Sequence, residues 1–237
     1  MLNTSQEPST TNEDGRVQMD TTRKDLVTAL RRGIMSGEYS PNQRLIEIDI
    51  CEQFHARRAI VREAFLQLEI EGLVERVQNR GSRVRAISVT EAVELSELRM
   101  VIEALCARKA AERITDEQIA EFQELRTSIT TAIAASDLAI YSQLNRNLHQ
   151  RIMEISGQKT EQHTLERLNA RNNHRRRLPY ASGRATISAK EHIAIIGAIV
   201  ARDPDAAERT MREHLRIVIS WLLDADTDSQ SQDDDTY

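Results

Sequence analysis

Four residues in the second half of the chain have types and spacings suited to holding a metal ion. His192 and His214 lie eleven residues before and after Asp203. Asp203-Pro204 is itself a helix-opening pair, an N-cap followed by proline at the first helical position. In an antiparallel helical hairpin, positions equally far from the turn come opposite one another, so these two rings can converge. Asn145 and His149 are four residues apart and share one helix face. Bringing these helices together gathers three imidazoles and an amide oxygen, a donor set that zinc, nickel, cobalt or manganese accepts. Three polar side chains satisfied separately inside a bundle would have the same spacings. No HExxH or paired-cysteine motif separates the two readings.

A second group of residues is cationic. Arg58 and Arg62, just after Arg57, share one helix face, while Val61, Phe65 and Leu68 point the other way. A recognition helix needs this division, because arginine can grip guanine O6 and N7 with two hydrogen bonds. Arg76, Arg80, Arg83 and Arg85 surround Gly81, a placement suited to phosphate contacts or minor-groove insertion. Arg23, Lys24, Arg31 and Arg32 could set a first helix along the DNA backbone. A solvated basic face, or a winged helix that binds protein, fits the same pattern.

The elements that must position these groups follow from periodicity. Residues 22 to 36 carry Leu26, Leu30 and Ile34 on one face and stop at Gly37. A short helix follows over about 47 to 54, and a third over about 57 to 71, closed by Gly72. Two β-type runs, 73 to 77 and 82 to 84, flank Gln78-Asn79-Arg80-Gly81, a hairpin signal. Helix, helix, helix, hairpin is the winged helix-turn-helix order. After Ile87 only long helices are expected, and they form a six-helix antiparallel bundle. Ser88 with Glu91, Thr115 with Gln118, Ser136-Asp137, Ser188 with Glu191 and Asp203-Pro204 mark starts, and another helix spans about Glu161 to Leu178. The fold is therefore mainly α. A winged helix occupies 21–86 and a helical domain 88–223, between a disordered tail at 1–20 and a disordered acidic tail at 224–237.

Charge and composition are consistent with this division. The chain has 237 residues and a formal charge of −5, but its last fourteen residues hold six Asp and no Lys or Arg. Between Thr22 and Ile87 twelve Lys/Arg stand against nine Asp/Glu, so placement rather than net charge carries the DNA argument. Cys51 and Cys106 sit at apolar helical positions and are expected to be small buried hydrophobes rather than a disulfide. With no signal core and no membrane-length apolar run, the expectation is a reduced, cytoplasmic protein.

Ordered motifs over residues 22 to 85 resemble the GntR family of DNA-binding regulators. They are Gly37-Glu38-Tyr39-Ser40-Pro41, Leu45, Val61-Arg62-Glu63-Ala64-Phe65, Leu68-Glu69, Glu71-Gly72-Leu73-Val74 and Asn79-Arg80-Gly81. The resemblance places the family's DNA-contacting arginines on Arg58 and Arg62 and its wing-tip glycine on Gly81; Arg57 beside them and Arg80 on the hairpin are expected to join the contact. The usual glycine, serine, threonine and proline around the recognition helix are replaced by His55, Arg57, Ala59 and Ile60, which implies a different operator sequence. His adopts left-handed backbone more readily than most residues, so His55 is compatible with the turn.

Residues 88 to 223 resemble the FCD ligand-binding domain of the FadR subfamily. The matching pieces are Glu97-Leu98-Arg99 with Glu103, Asn145 to His149 with Ser156-Gly157, Glu191-His192, and Met211 with His214-Leu215. By this resemblance a divalent transition metal, zinc or nickel, is held by Asn145, His149, His192 and His214, with Asn145 replacing the usual aspartate. Arg99 then pairs with a small carboxylate effector or with the ligand cluster; without the resemblance it reads as a surface partner of Glu103. The function implied is a homodimeric repressor that leaves a pseudo-palindromic double-stranded operator when the effector binds. The rival is a metal-dependent helical hydrolase in which the histidines activate water. Against it, no acid or base partner is evident beside the cluster, and the basic winged helix would be unexplained.

Overall fold

The computed structural model describes residues 21–77, 81–162, 164–165, 168 and 184–234, with side chains as far as Asp224. It divides into two compact units, Met1–Arg85 and Ala86–Tyr237.

In the first unit, helix α1 (Arg23–Ser36) starts where the Thr22 side chain accepts from the Asp25 N–H, and ends at Gly37 in left-handed geometry. Leu26, Leu30 and Ile34 form its buried face. Strand β1 (Arg44–Leu45) leads into α2 (Glu47–Phe54) and α3 (Arg58–Ile70), followed by β2 (Val74–Val77) and β3 (Gly81–Val84). The sheet order is β1-β3-β2, antiparallel throughout, with Leu45 opposite Ser82 and Val77 opposite Gly81. Strand β1 is additional to the expected hairpin; two residues are too few to show alternation, and pairing with β3 alone makes them a strand. Between α2 and α3, His55 takes φ +49°, the left-handed turn that the family's glycine usually supplies. Val61, Ala64, Phe65 and Leu68 are the buried face of α3.

Gly33, inside α1, is set by a close approach rather than by its backbone angles. A Cβ there would meet the Tyr39 ring at 2.5 Å, and Tyr39 is itself buried and donates its hydroxyl to Gln53 Oε1. Helix propensity alone favours Gly33→Ala by about 1 kcal/mol, but overpacking costs about 1–3 kcal/mol. The expected result is net destabilisation, read as a lower urea midpoint of the first transition; a higher midpoint would mean that Tyr39 yields freely.

The second unit contains α4 (Val89–Arg113), α5 (Asp116–Ala134), α6 (Leu138–Ser156), α7 (Ala185–Val200) and α8 (Pro204–Asp234). Ser88 caps α4, Thr115 and Gln118 form a full capping box on α5, and Asp137 caps α6, which stops at Gly157. Two boundaries differ from expectation. Helix α7 starts at Ala185, so Ser188 lies inside it and is buried; nothing in Ala185-Thr186-Ile187 breaks a helix. Helix α8 continues past Leu223 to Asp234, through a stretch that was expected to be a disordered tail and that contains no Gly or Pro. Most of the helix expected from Glu161 to Leu178, with the basic run Arg171–Arg177, lies outside the described residues, as do residues 1–20 and Arg80.

The core of this unit forms around α4, which packs against α6, α7 and α8. Ala104, Ala107, Ala110 and Ala111 are buried on α4, and their small side chains let neighbouring helices come close. Phe122, Ile129, Leu148, Ile152, Ile195, Ile199, Met211 and Leu215 fill the spaces between them. Each such side chain contributes about 1.5–3 kcal/mol on burial. This packing fixes the facing sides of four helices, where the polar residues described next are found. Cys106 is buried, its thiol pushed up to about 11 chiefly by desolvation, whereas Cys51 is half-buried.

Candidate metal centre and nucleic-acid interface

His149 on α6, His192 on α7 and His214 on α8 converge, with one ring nitrogen from each within 4.8 Å of the others. All three are buried. The hairpin symmetry about Asp203 holds, with the His192 and His214 rings 4.6 Å apart between centroids. Asn145 is also buried, one helical turn before His149 on the same helix.

Each imidazole is held at Nδ1 by a group outside the cluster. His149 Nδ1 lies 2.6 Å from Glu103 Oε2, and His214 Nδ1 lies 2.7 Å from Glu191 Oε2. His192 Nδ1 lies 3.0 Å from the Tyr141 hydroxyl. An ionised carboxylate only accepts, so at His149 and His214 it places the proton on Nδ1 and leaves Nε2 with its lone pair, whereas the Tyr141 hydroxyl both donates and accepts and serves either tautomer of His192. This is the arrangement by which outer groups fix ligand tautomers in metal sites.

The structure supports a fit to a metal by a direct observation. His149 Nε2 and His192 Nε2 stand 3.4 Å apart; two imidazole nitrogens on one tetrahedral zinc, each at about 2.05 Å, stand about 3.3 Å apart. Burial pushes His192 and His214 well below the ordinary histidine range, and neighbouring histidines and Arg184 add to this. Neutral rings are the form a metal takes.

Arg99 is no surface residue. It is 2 % exposed and donates through Nε and Nη2 to Glu103 Oε1 at 2.9 and 2.7 Å. The surface reading fails because an Arg–Glu pair at i,i+4 looks the same in sequence whether its helix face is wet or dry. Arg99, Glu103 and His149 thus form one buried chain. Glu103 as bridge, Tyr141 and Glu191 behind the rings, and Arg184 near them with Trp221 against its guanidinium were not assigned these places from sequence. Tyr141 had one available signal: it shares the α6 face of Asn145 and His149 at four-residue steps.

Because His192 and His214 stay neutral when folded but ionise near pH 6.5 when unfolded, the metal-free domain binds fewer protons than its unfolded chain below that pH. Stability is then unaffected at higher pH and falls as pH drops below about 6.5, by at most about 1.4 kcal/mol per pH unit for each ring. Urea midpoints of chelator-treated protein between pH 5 and 8 check this; a midpoint that rises towards pH 5 would contradict it.

In the first unit Arg58 and Arg62 project from α3 with side chains 60 % and 63 % exposed, both within 3.2 Å of Glu47 on α2. Arg57 is the exposed N-cap of α3. Gly81 takes φ +84° at the start of β3, where a Cβ would come within 3.3 Å of the Leu45 carbonyl. Arg83 bonds Glu75 on the neighbouring strand. Arg31, expected along the DNA backbone, instead makes a two-pronged bond to Glu71, which ties α1 to the end of α3.

A three-helix unit with a small antiparallel wing, joined in sequence to a helical domain with a buried histidine cluster, defines a two-domain regulator. Comparison with known proteins agrees. Residues 22–84 match the bacterial regulatory proteins, gntR family, and residues 94–217 match the FCD domain. The HTH-type transcriptional repressor RspR of Escherichia coli (strain K12) is 31% identical over 188 residues, 79% of this chain and 82% of its own. The HTH-type transcriptional repressor NanR of Cronobacter sakazakii is 29% identical over 214 residues, 80% of this chain and 79% of its own. Among solved structures, E. coli McbR/YncC superposes with a TM-score of 0.73 at 20% identity, over 86% of this chain and 97% of that one, a likeness of fold. The chain belongs to the GntR family of transcriptional regulators and carries an FCD domain. It is a DNA-binding regulator and not the hydrolase that the histidines alone would also allow.

Proposed function

We propose that this regulator is a homodimeric, cytoplasmic repressor whose helical domain holds a divalent transition metal, zinc or nickel, and senses a small carboxylate. The observation that carries the reading is the convergence of three imidazoles, each fixed at Nδ1 by an outer group. His149, His192 and His214 supply nitrogen, and Asn145, at the family's aspartate position, supplies an amide oxygen. The ion when bound acts as a Lewis acid that attracts an anionic oxygen donor. With asparagine in place of aspartate, the ligand set contributes no negative charge. Glu103 and Glu191 are already matched by Arg99 and Arg184. The ion's full charge is then left to draw an anion. Arg99, with Nε and Nη2 taken by Glu103, has Nη1 left to meet one.

Arg57, Arg58 and Arg62 at the start of α3 read base edges or phosphates, and Arg80, next to Gly81 in sequence, adds a phosphate contact. Leu98, Val101 and Leu105 form an exposed apolar stripe on α4 at spacings of three and four, suited to a second copy of the chain. Two copies imply a pseudo-palindromic duplex site. The effector releases DNA only by binding the DNA-incompetent arrangement more tightly than the competent one.

Selection from random duplexes with the zinc-loaded protein tests this. The expected product is an enriched inverted repeat whose complex is weakened by a small carboxylate. Enrichment of no sequence would contradict the DNA reading; an operator complex indifferent to carboxylates but released by another ligand class would contradict the effector reading.

A further inference from the structure

Arg184 is the N-cap residue of α7 and is 2 % exposed. Its Nη2 reaches Glu191 Oε2 at 3.2 Å, while Nε and Nη1 are buried without a hydrogen-bond partner among the described residues. A guanidinium is permanently charged, and leaving two of its nitrogens dry and unpaired forfeits hydration with no return. Buried polar groups without partners are uncommon and call for a specific cause. Here the cause has a location. The Glu191 oxygen that bonds Arg184 also bonds His214 Nδ1, so Arg184 is two hydrogen bonds from the histidine cluster. Trp221 of α8 lies beneath the guanidinium, its ring centroid 5.7 Å from Cζ. Arg99, by contrast, has two of its nitrogens committed to Glu103.

We propose that Arg184 is the docking group for the effector's carboxylate, which accepts a charge-assisted hydrogen bond from its unpartnered Nη1 beside the histidine cluster. The inference rests on the reading of the helical domain as the effector-binding domain and changes which arginine does the binding. A guanidinium sheds water more readily than an ammonium and holds its donors in a fixed plane, so a buried carboxylate meets it at lower cost than it would a lysine. The Trp221 ring gives the guanidinium a cation–π partner on one face.

Trp221 is the only tryptophan in the chain and reports directly on this position. Its emission is followed while acetate is titrated into full-length protein at constant ionic strength, with acetamide as the uncharged control. Zinc content is measured on the same samples, with and without chelator. The wild type should show a saturable change with acetate and none with acetamide. Arg184→Lys keeps the charge and should weaken half-saturation about tenfold or more; Arg184→Gln should abolish the response while near-ultraviolet dichroism shows a folded domain. A wild type that takes up zinc but shows no saturable response overturns the proposal. So does an Arg184→Lys variant with unchanged half-saturation whose response disappears on chelation, since the metal alone then holds the carboxylate. In both cases the metal centre stands; its own failure appears separately as absence of zinc.

Discussion

Replacing Arg58 and Arg62 together with alanine should lower affinity for the selected duplex by about 100-fold or more. A two-pronged arginine contact to a base contributes about 1–3 kcal/mol, or roughly fivefold to 150-fold for each residue, and about 1.4 kcal/mol from each already gives 100-fold. The structure adds a second effect of the same sign. Both guanidiniums rest on Glu47, and the double variant leaves that carboxylate facing DNA without its cations. Glu47→Gln should therefore act in the opposite direction and tighten binding, most visibly at low salt. Fluorescence anisotropy across a salt series measures both. Equal affinities for wild type and double variant would remove α3 as the reading element and leave the wing as the sole contact.

The other large effect is thermal. A ligand that binds only the folded state stabilises it by about 4 kcal/mol at a thousand times its dissociation constant. For a chain of this size each kcal/mol moves the midpoint by about 2–4 °C. Stripping the metal from wild type should therefore lower Tm by about 8–16 °C, and restoring zinc should recover it. His214→Ala, which removes one ligand and leaves Glu191 without its ring partner, should show no such recovery. A midpoint that is the same in metal-stripped and zinc-restored wild type would mean that the ion adds nothing to the stability of the bonded rings.

The residues that meet through helix geometry were legible in the sequence to the extent that geometry is periodic. His192 and His214 could be paired because the turn at Asp203 fixes their mirror positions, and Asn145 with His149 because four residues make one turn. Gly37, Gly157, Thr115 and Asp137 announced helix ends through local hydrogen bonding, which acts over three or four residues. Burial and partner choice across helices were not legible. Arg99–Glu103 has the spacing of a surface pair, and only the packing of α4 against three helices makes it a buried bridge to His149. Glu191 read as a capping partner of Ser188, because nothing local shows that α7 has already begun at Ala185. Arg184 carried no signal, since an arginine at a helix start ordinarily faces water. Strand β1 exists only through its pairing with β3, a contact remote in sequence.

Whether the three buried histidines of this DNA-binding regulator form a metal centre is decided by elemental analysis of protein purified without chelator and without a histidine tag, wild type beside His192→Ala. About one transition-metal ion per chain in the wild type, lost in the variant, is the predicted result. A wild type with no metal, unchanged by the substitution, would contradict it and leave the histidines and arginines to meet the effector directly.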